Sequence, residues 1–107
     1  MSDGISVHIK VHLAPESVDR FLAAFKKVFD AAAAEPKCTF FELYRDPENP
    51  GEISWVENWD ASKEWLMEYV GGKEEYKEYF AVTQELSLQP QEVIFLEKLG
   101  SSWSLKK

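Results

Sequence analysis

Asn58 and Trp59 stand side by side, and each can donate a hydrogen bond, one through its amide and the other through its indole N–H. Two such donors beside a bound molecule would stabilise negative charge growing on an oxygen. Trp65 and Tyr69 follow at a spacing of four, as do Tyr76 and Phe80. Residues four apart share one face of a helix, so these rings predict an aromatic slot between helix and sheet that suits a flat ligand. His8 is a candidate base, since an unperturbed imidazole titrates near neutrality. His12 lies four residues on, about 13 Å along an extended strand, which is too far for both rings to hold one metal ion. Glu42 and Glu57 each sit within an aromatic run. A carboxylate buried there would have a raised pKa and could serve as a base. Ordinary roles stay open for all of these residues. Trp59 and the helical aromatics may be read as core, Asn58 as a cap, the histidines as exposed or structural, and the glutamates as edge residues paired with a base such as Lys10.

These side chains need elements to position them. Ile5, Val7, Ile9, Val11 and Leu13 alternate with Ser6, His8, Lys10 and His12, the period of a half-buried strand. Pro15 opens a helix in which Val18, Phe21, Leu22, Phe25, Val28 and Phe29 form one apolar stripe, and Pro36 ends it. Cys38 to Arg45 reads as a second strand, and the turn-rich stretch from Asp46 to Gly51 folds a third, Glu52 to Asn58, back as a hairpin. Asp60 is the expected N-cap of a second helix. Gly71-Gly72 interrupts that helix, which resumes from about Lys73 to Leu86. A last strand runs from Glu92 to Leu99, and Gly100 to Lys107 form a tail.

The order is β-α-β-β-α-β with the second helix interrupted. It predicts an α+β fold of the ferredoxin-like kind, with one antiparallel sheet and helices on one face. The whole chain, 1–107, forms one domain with its core in about 5–99. The later strands are apolar on both sides: Phe40 and Tyr44 oppose Phe41 and Leu43, while Val93 and Phe95 oppose Ile94 and Leu96. A sheet apolar on both faces is buried twice, so a homodimer forming an α+β barrel is expected.

Net charge narrows the function classes. Nineteen acidic against 12 basic side chains give −7, and no basic stripe interrupts them, so nucleic acid is excluded as a partner. The most apolar stretch, Phe21 to Ala34, is broken by Lys26, Lys27 and Asp30, which excludes a membrane span. The first residues show no export signal, and one cysteine, Cys38, allows no intrachain disulfide, so a cytoplasmic location is expected.

Three blocks carry a resemblance: Ile5 to Val11, Pro15 to Phe21, and Trp55-Val56-Glu57-Asn58-Trp59-Asp60-Ala61-Ser62-Lys63-Glu64-Trp65-Leu66. Together they resemble the antibiotic biosynthesis monooxygenase family of small dimeric α+β barrel proteins, over roughly residues 5–99. The resemblance implies an oxygenase without metal or flavin that acts on a small aromatic or polyketide-type molecule. Asn58 and Trp59 would be donors, His8 a base, and Trp65, Tyr69, Tyr76 and Phe80 the slot. Haem-degrading relatives are similar but carry a histidine on the second helix, where Glu68 or Tyr69 stands here. A non-oxidative isomerase or cyclase, a ligand carrier, or a structural dimer would use the same fold.

Overall fold

Two proteins' worth of secondary structure is not needed to build the predicted sheet; four strands of this chain suffice. In the computed structural model, which describes residues 4–107, the elements are β1 (Ile5–His12), a 3-10 turn (Pro15–Ser17), α1 (Val18–Ala34), β2 (Cys38–Asp46), β3 (Asn49–Trp59), α2 (Lys63–Gly71), α3 (Glu74–Leu86), β4 (Glu92–Glu97) and a short 3-10 turn (Ser101–Trp103). The sheet is antiparallel in the order β2-β3-β1-β4. The α+β, ferredoxin-like reading holds. Residues 1–3, the start of the stretch examined for an export signal, lie outside the described residues. No helix among the described residues is long and apolar enough to cross a membrane.

Alternation decides which side chains meet the helices. Val7, Val11, Ile53, Trp55, Glu57 and Trp59 are buried, while their strand neighbours Ser6, His8, Asn58 and Val56 lie on the opposite, helix-free face. The stripe on α1 docks on the first set: Phe21, Phe25 and Val28 pack with Val11, Ile53 and Trp55. The Phe25 and Trp55 rings lie 4.6 Å apart, a close tilted pair worth more than the area it buries.

Several element boundaries differ from expectation. The turn between β2 and β3 is only Pro47 and Glu48, tightened by the Glu48 N–H donating to Asp46 Oδ1 at 2.9 Å. β3 therefore starts at Asn49 rather than Glu52. Pro50 fits in it because pairing with β1 begins only at Glu52, so no ladder bond to β1 needs the missing N–H. The N-cap of α2 is Ser62 rather than Asp60, with Ser62 Oγ accepting from the Trp65 N–H at 3.0 Å. Asp60 is held instead by its own N–H donating to Lys37 O at 2.7 Å. β4 ends at Glu97, two residues before the expected Leu99.

Gly51 marks where the chain is tightest. A Cβ there would fall 1.9 Å from Leu13 O, the carbonyl of the segment whose N–H donates to Gly51 O at 2.8 Å. Gly71, at the end of α2, would meet nothing within 4 Å. Gly51→Ala is accordingly expected to cost at least about 2 kcal/mol in urea unfolding. Gly71→Ala should be neutral or stabilise by about 0.5–1 kcal/mol through lost unfolded-state entropy. Equal midpoints for the two variants would contradict this packing.

Candidate active site

Trp55, Glu57 and Trp59 alternate along β3 and so project together into the layer between sheet and helices. Glu57 is 7% exposed and has no cationic partner among the described ion pairs. Its two oxygens are met by indoles instead. The Trp55 Nε1–H donates to Oε2 at 2.7 Å, and the Trp59 Nε1–H donates to Oε1 at 2.9 Å. Burial pushes the Glu57 carboxyl above its ordinary value, and the two indole bonds pull it partly back.

This carboxylate faces a cavity of about 320 Å³ between the sheet and α2–α3. Val7, Ile9, Val93 and Phe95 form its floor, while Leu66 and Met67 of α2 and Tyr76, Tyr79 and Phe80 of α3 form its roof. Glu57 is the one carboxylate in that lining, and Gln91 is its one amide. Burial also raises the Tyr76 and Tyr79 phenols, with the Glu57 charge adding to the effect, so both remain protonated beside it. The Tyr76 hydroxyl is buried without a hydrogen-bond partner among the described residues. Met67 and Phe80 are half exposed and mark the rim.

The expected slot residues divide between two layers. Tyr76 and Phe80 line the cavity. Trp65 and Tyr69 stack on each other at 5.4 Å and back Trp59, whose ring lies 5.3 Å from Tyr69. Tyr69 joins the layers through an edge contact with Tyr76 at 5.9 Å. The donor pair expected at Asn58 and Trp59 is not brought together, because adjacent residues of a strand point to opposite faces. Asn58 lies on the helix-free face with a buried, unpartnered Oδ1, and the Trp59 indole N–H is already committed to Glu57. His8 shares the Asn58 face, where its Nε2 and the Ser6 hydroxyl are hydrogen-bonded at 2.9 Å. Neither His8 nor Asn58 lines the Glu57 cavity.

Of the two glutamates, Glu42 is exposed and accepts from the Tyr44 hydroxyl at 3.0 Å. Lys10, the partner foreseen for such a residue, pairs with Glu52 at 3.8 Å. His12 sits between Glu52 and Glu92, its Nε2 hydrogen-bonded to Glu92 at 2.6 Å and its Nδ1 3.3 Å from Glu52. Among the described residues no group of three His, Cys, Asp or Glu side chains is placed to hold a metal ion. Trp55 was missed as a site residue, although its spacing from Glu57 and Trp59 is the strand period. Tyr79 was missed too, although it falls three residues after Tyr76.

A buried acid facing an apolar cavity, on a β-α-β-β-α-β frame, can now be compared with known proteins. The model of the family described as antibiotic biosynthesis monooxygenase matches residues 4–82. The chain belongs to this family. A Pestalotiopsis microspora protein named "Putative monooxygenase GME11364" is 40% identical over 101 residues, covering 94% of this chain and 84% of that protein. Among solved structures, a Nitrosomonas europaea protein superposes with a TM-score of 0.82 at 10% identity, over 92% of this chain and 93% of that one. A conserved protein from Methanosarcina mazei gives 0.78 at 24% identity, over 89% and 92%. These two likenesses concern the fold. The family match ends within α3, so β4 with its cavity residues Val93 and Phe95 lies beyond it.

The raised pKa has a thermodynamic consequence with a definite sign. Above the ordinary glutamate value of 4.5, the unfolded chain has released a proton that folded Glu57 still holds. The folded state binds more protons there, so stability falls as pH rises through the folded pKa. The stability difference between wild type and Glu57→Gln should therefore shift against wild type as pH is raised from about 4.5 to 8 in denaturant titrations. A difference that does not change with pH would show that Glu57 titrates as an exposed carboxylate.

Proposed function

We propose that the protein is a monooxygenase in which Glu57 is the base that ionises an electron-rich aromatic substrate inside the cavity. The supporting observation is the placement of one carboxylate, buried and clamped by two indoles, in a largely apolar space of about 320 Å³. Such a space holds two or three fused rings. A base of raised pKa is well matched to a phenol or anthrone, because proton transfer is most effective when the two acidities approach each other.

The chemistry balances without an external reductant. Glu57 takes a proton from the substrate hydroxyl or its activated ring methylene. The resulting anion transfers one electron to O₂, and the substrate radical and superoxide combine at carbon. Protonation by Glu57 gives a hydroperoxide. Loss of the remaining hydrogen on that carbon, with cleavage of the O–O bond, leaves a carbonyl and water. One oxygen atom enters the product and one leaves as water, with all electrons drawn from the substrate. Trp55 and Trp59 act here as positioning residues, since each holds one carboxylate oxygen in place.

The helix-free face also needs cover. Phe40, Tyr44, Ile94 and Leu96 lie on it at 42%, 45%, 54% and 46% exposure. We propose that a second copy of the chain packs there and closes the α+β barrel, with His8 and Asn58 inside that interface. Light scattering at micromolar concentration should give a dimer, and a Phe40→Glu/Leu96→Glu variant should give a folded monomer. A wild-type monomer would remove the barrel.

The catalytic reading is tested by O₂ uptake with hydroquinones, anthrones and naphthols. Uptake with a quinone product is expected, and Glu57→Gln should lower turnover by about 10²–10⁴-fold. The wild-type rate should rise with pH as Glu57 ionises, and Trp59→Phe should move that rise to higher pH, because it removes a hydrogen bond that favours the charged form. Saturable binding or isomerisation without O₂ uptake would instead favour a non-oxidative enzyme or carrier.

A further inference from the structure

The cavity has a second polar group whose position relative to Glu57 is set by the sheet. Glu57 pairs with Val7, and Val7 pairs with Phe95. Gln91 lies four residues before Phe95, immediately ahead of β4. Two inter-strand spacings sideways and four residues along place the two backbones about 16 Å apart. Gln91 Oε1 accepts from the Tyr79 hydroxyl at 3.4 Å, and its NH₂ makes no further hydrogen bond among the described residues. One end of the cavity thus offers an acceptor and the other a free amide donor. Between them stand apolar and aromatic side chains, the unpartnered Tyr76 hydroxyl among them, and no lysine, arginine or histidine lines the space. Lys63 is close by, 4.5 Å over the Phe95 ring, but does not line the cavity.

We infer that Gln91 is a specificity-determining residue, and that with Glu57 it selects uncharged fused-ring ligands bearing a hydroxyl at one end and a carbonyl at the other, while carboxylated analogues are turned away. The hydroxyl donates to Glu57. The carbonyl accepts from the Gln91 NH₂, replacing a hydrogen bond that the ligand surrenders on leaving water. A ligand carboxylate would enter with no cation to meet it and with the Glu57 charge in the same apolar space. With both side chains rising from the sheet, two hydrogen-bond lengths taken from that separation leave at most about 10 Å, within which two or three fused rings can carry a hydroxyl and a carbonyl. This inference rests on the Glu57 cavity being the ligand site, but not on the use of oxygen.

The test is equilibrium binding by calorimetry under nitrogen, so that ligand choice is read separately from oxidation. The three probes are a hydroxytetralone with hydroxyl and carbonyl on opposite rings, the tetrahydronaphthol lacking that carbonyl, and a hydroxynaphthoate, whose carboxylate stands in place of the carbonyl on a fully aromatic frame. At mildly alkaline pH, where Glu57 carries its charge, hydroxytetralone should bind at least about tenfold more tightly than either other probe, a loss of about 1.4 kcal/mol for each. Gln91→Leu should erase its advantage over the tetrahydronaphthol without weakening the latter, and Glu57→Gln should narrow the gap to the hydroxynaphthoate. Binding of the hydroxynaphthoate as tight as that of hydroxytetralone would overturn the inference. So would an unchanged ratio in Gln91→Leu, or failure of all three probes to bind. Selective binding with no O₂ uptake by any hydroquinone or anthrone would leave the inference standing and remove the oxygenase reading.

Discussion

A carboxylate removed from water needs hydrogen-bond donors or it takes up a proton, and in this protein the donors are two indoles. The Trp55–Glu57–Trp59 bridge has no cationic member. A lysine or arginine in their place would hold the carboxyl low and leave a weak base. Indole N–H groups satisfy the oxygens while contributing no formal charge, so desolvation dominates and the carboxyl stays high. The rings bring apolar surface as well, and Trp55 and Trp59 are among the largest fully buried side chains of the core. The same groups therefore stabilise the fold and set the acidity of the site.

The rest of the architecture serves this bridge. A strand with residues 55, 57 and 59 facing one way needs a layer above it, supplied by α1 together with α2 and α3. α1 fills its part with Phe21, Phe25 and Val28. α2 and α3 leave a gap over β1, β3 and β4, and this is the cavity, with Phe25 and Val28 of α1 also in its wall. The break at Gly71-Gly72 separates the roof into two short helices, so that Leu66 and Tyr76 approach the cavity from different directions. On the other side of the sheet the alternation leaves Phe40, Tyr44, Ile94 and Leu96 for a second copy in the proposed barrel.

Much of this was legible in the residues, and what was not has physical reasons. The alternation of 5–13, the stripe from Val18 to Phe29 and the two-sided apolar strands carry the topology directly, because burial imposes their periods. The narrow turn at Pro47 and Glu48 was harder to see, since Asn49, Pro50 and Gly51 share turn chemistry yet lie within the strand. Glu57 was recognisable as a base if buried, but its burial depends on how α2 and α3 dock. Reading Asn58 and Trp59 as a pair weighted adjacency above strand period, and the period prevails. The hydrogen bonds from Trp55 and Trp59 depend on side-chain rotamers that no local pattern encodes. Gln91 lies outside any regular element, where only the tertiary structure shows what it faces.

The most direct measurement of the central claim is a carbon-13 NMR titration of the glutamate side-chain carboxyls, read together with the indole N–H resonances of the tryptophans. The account predicts that Glu57 titrates well above the ordinary glutamate range and that the indole N–H signals of Trp55 and Trp59 move with it, while that of exposed Trp103 does not. A Glu57 carboxyl titrating at the ordinary value, or indole signals indifferent to its ionisation, would contradict the bridge and the base it is proposed to hold.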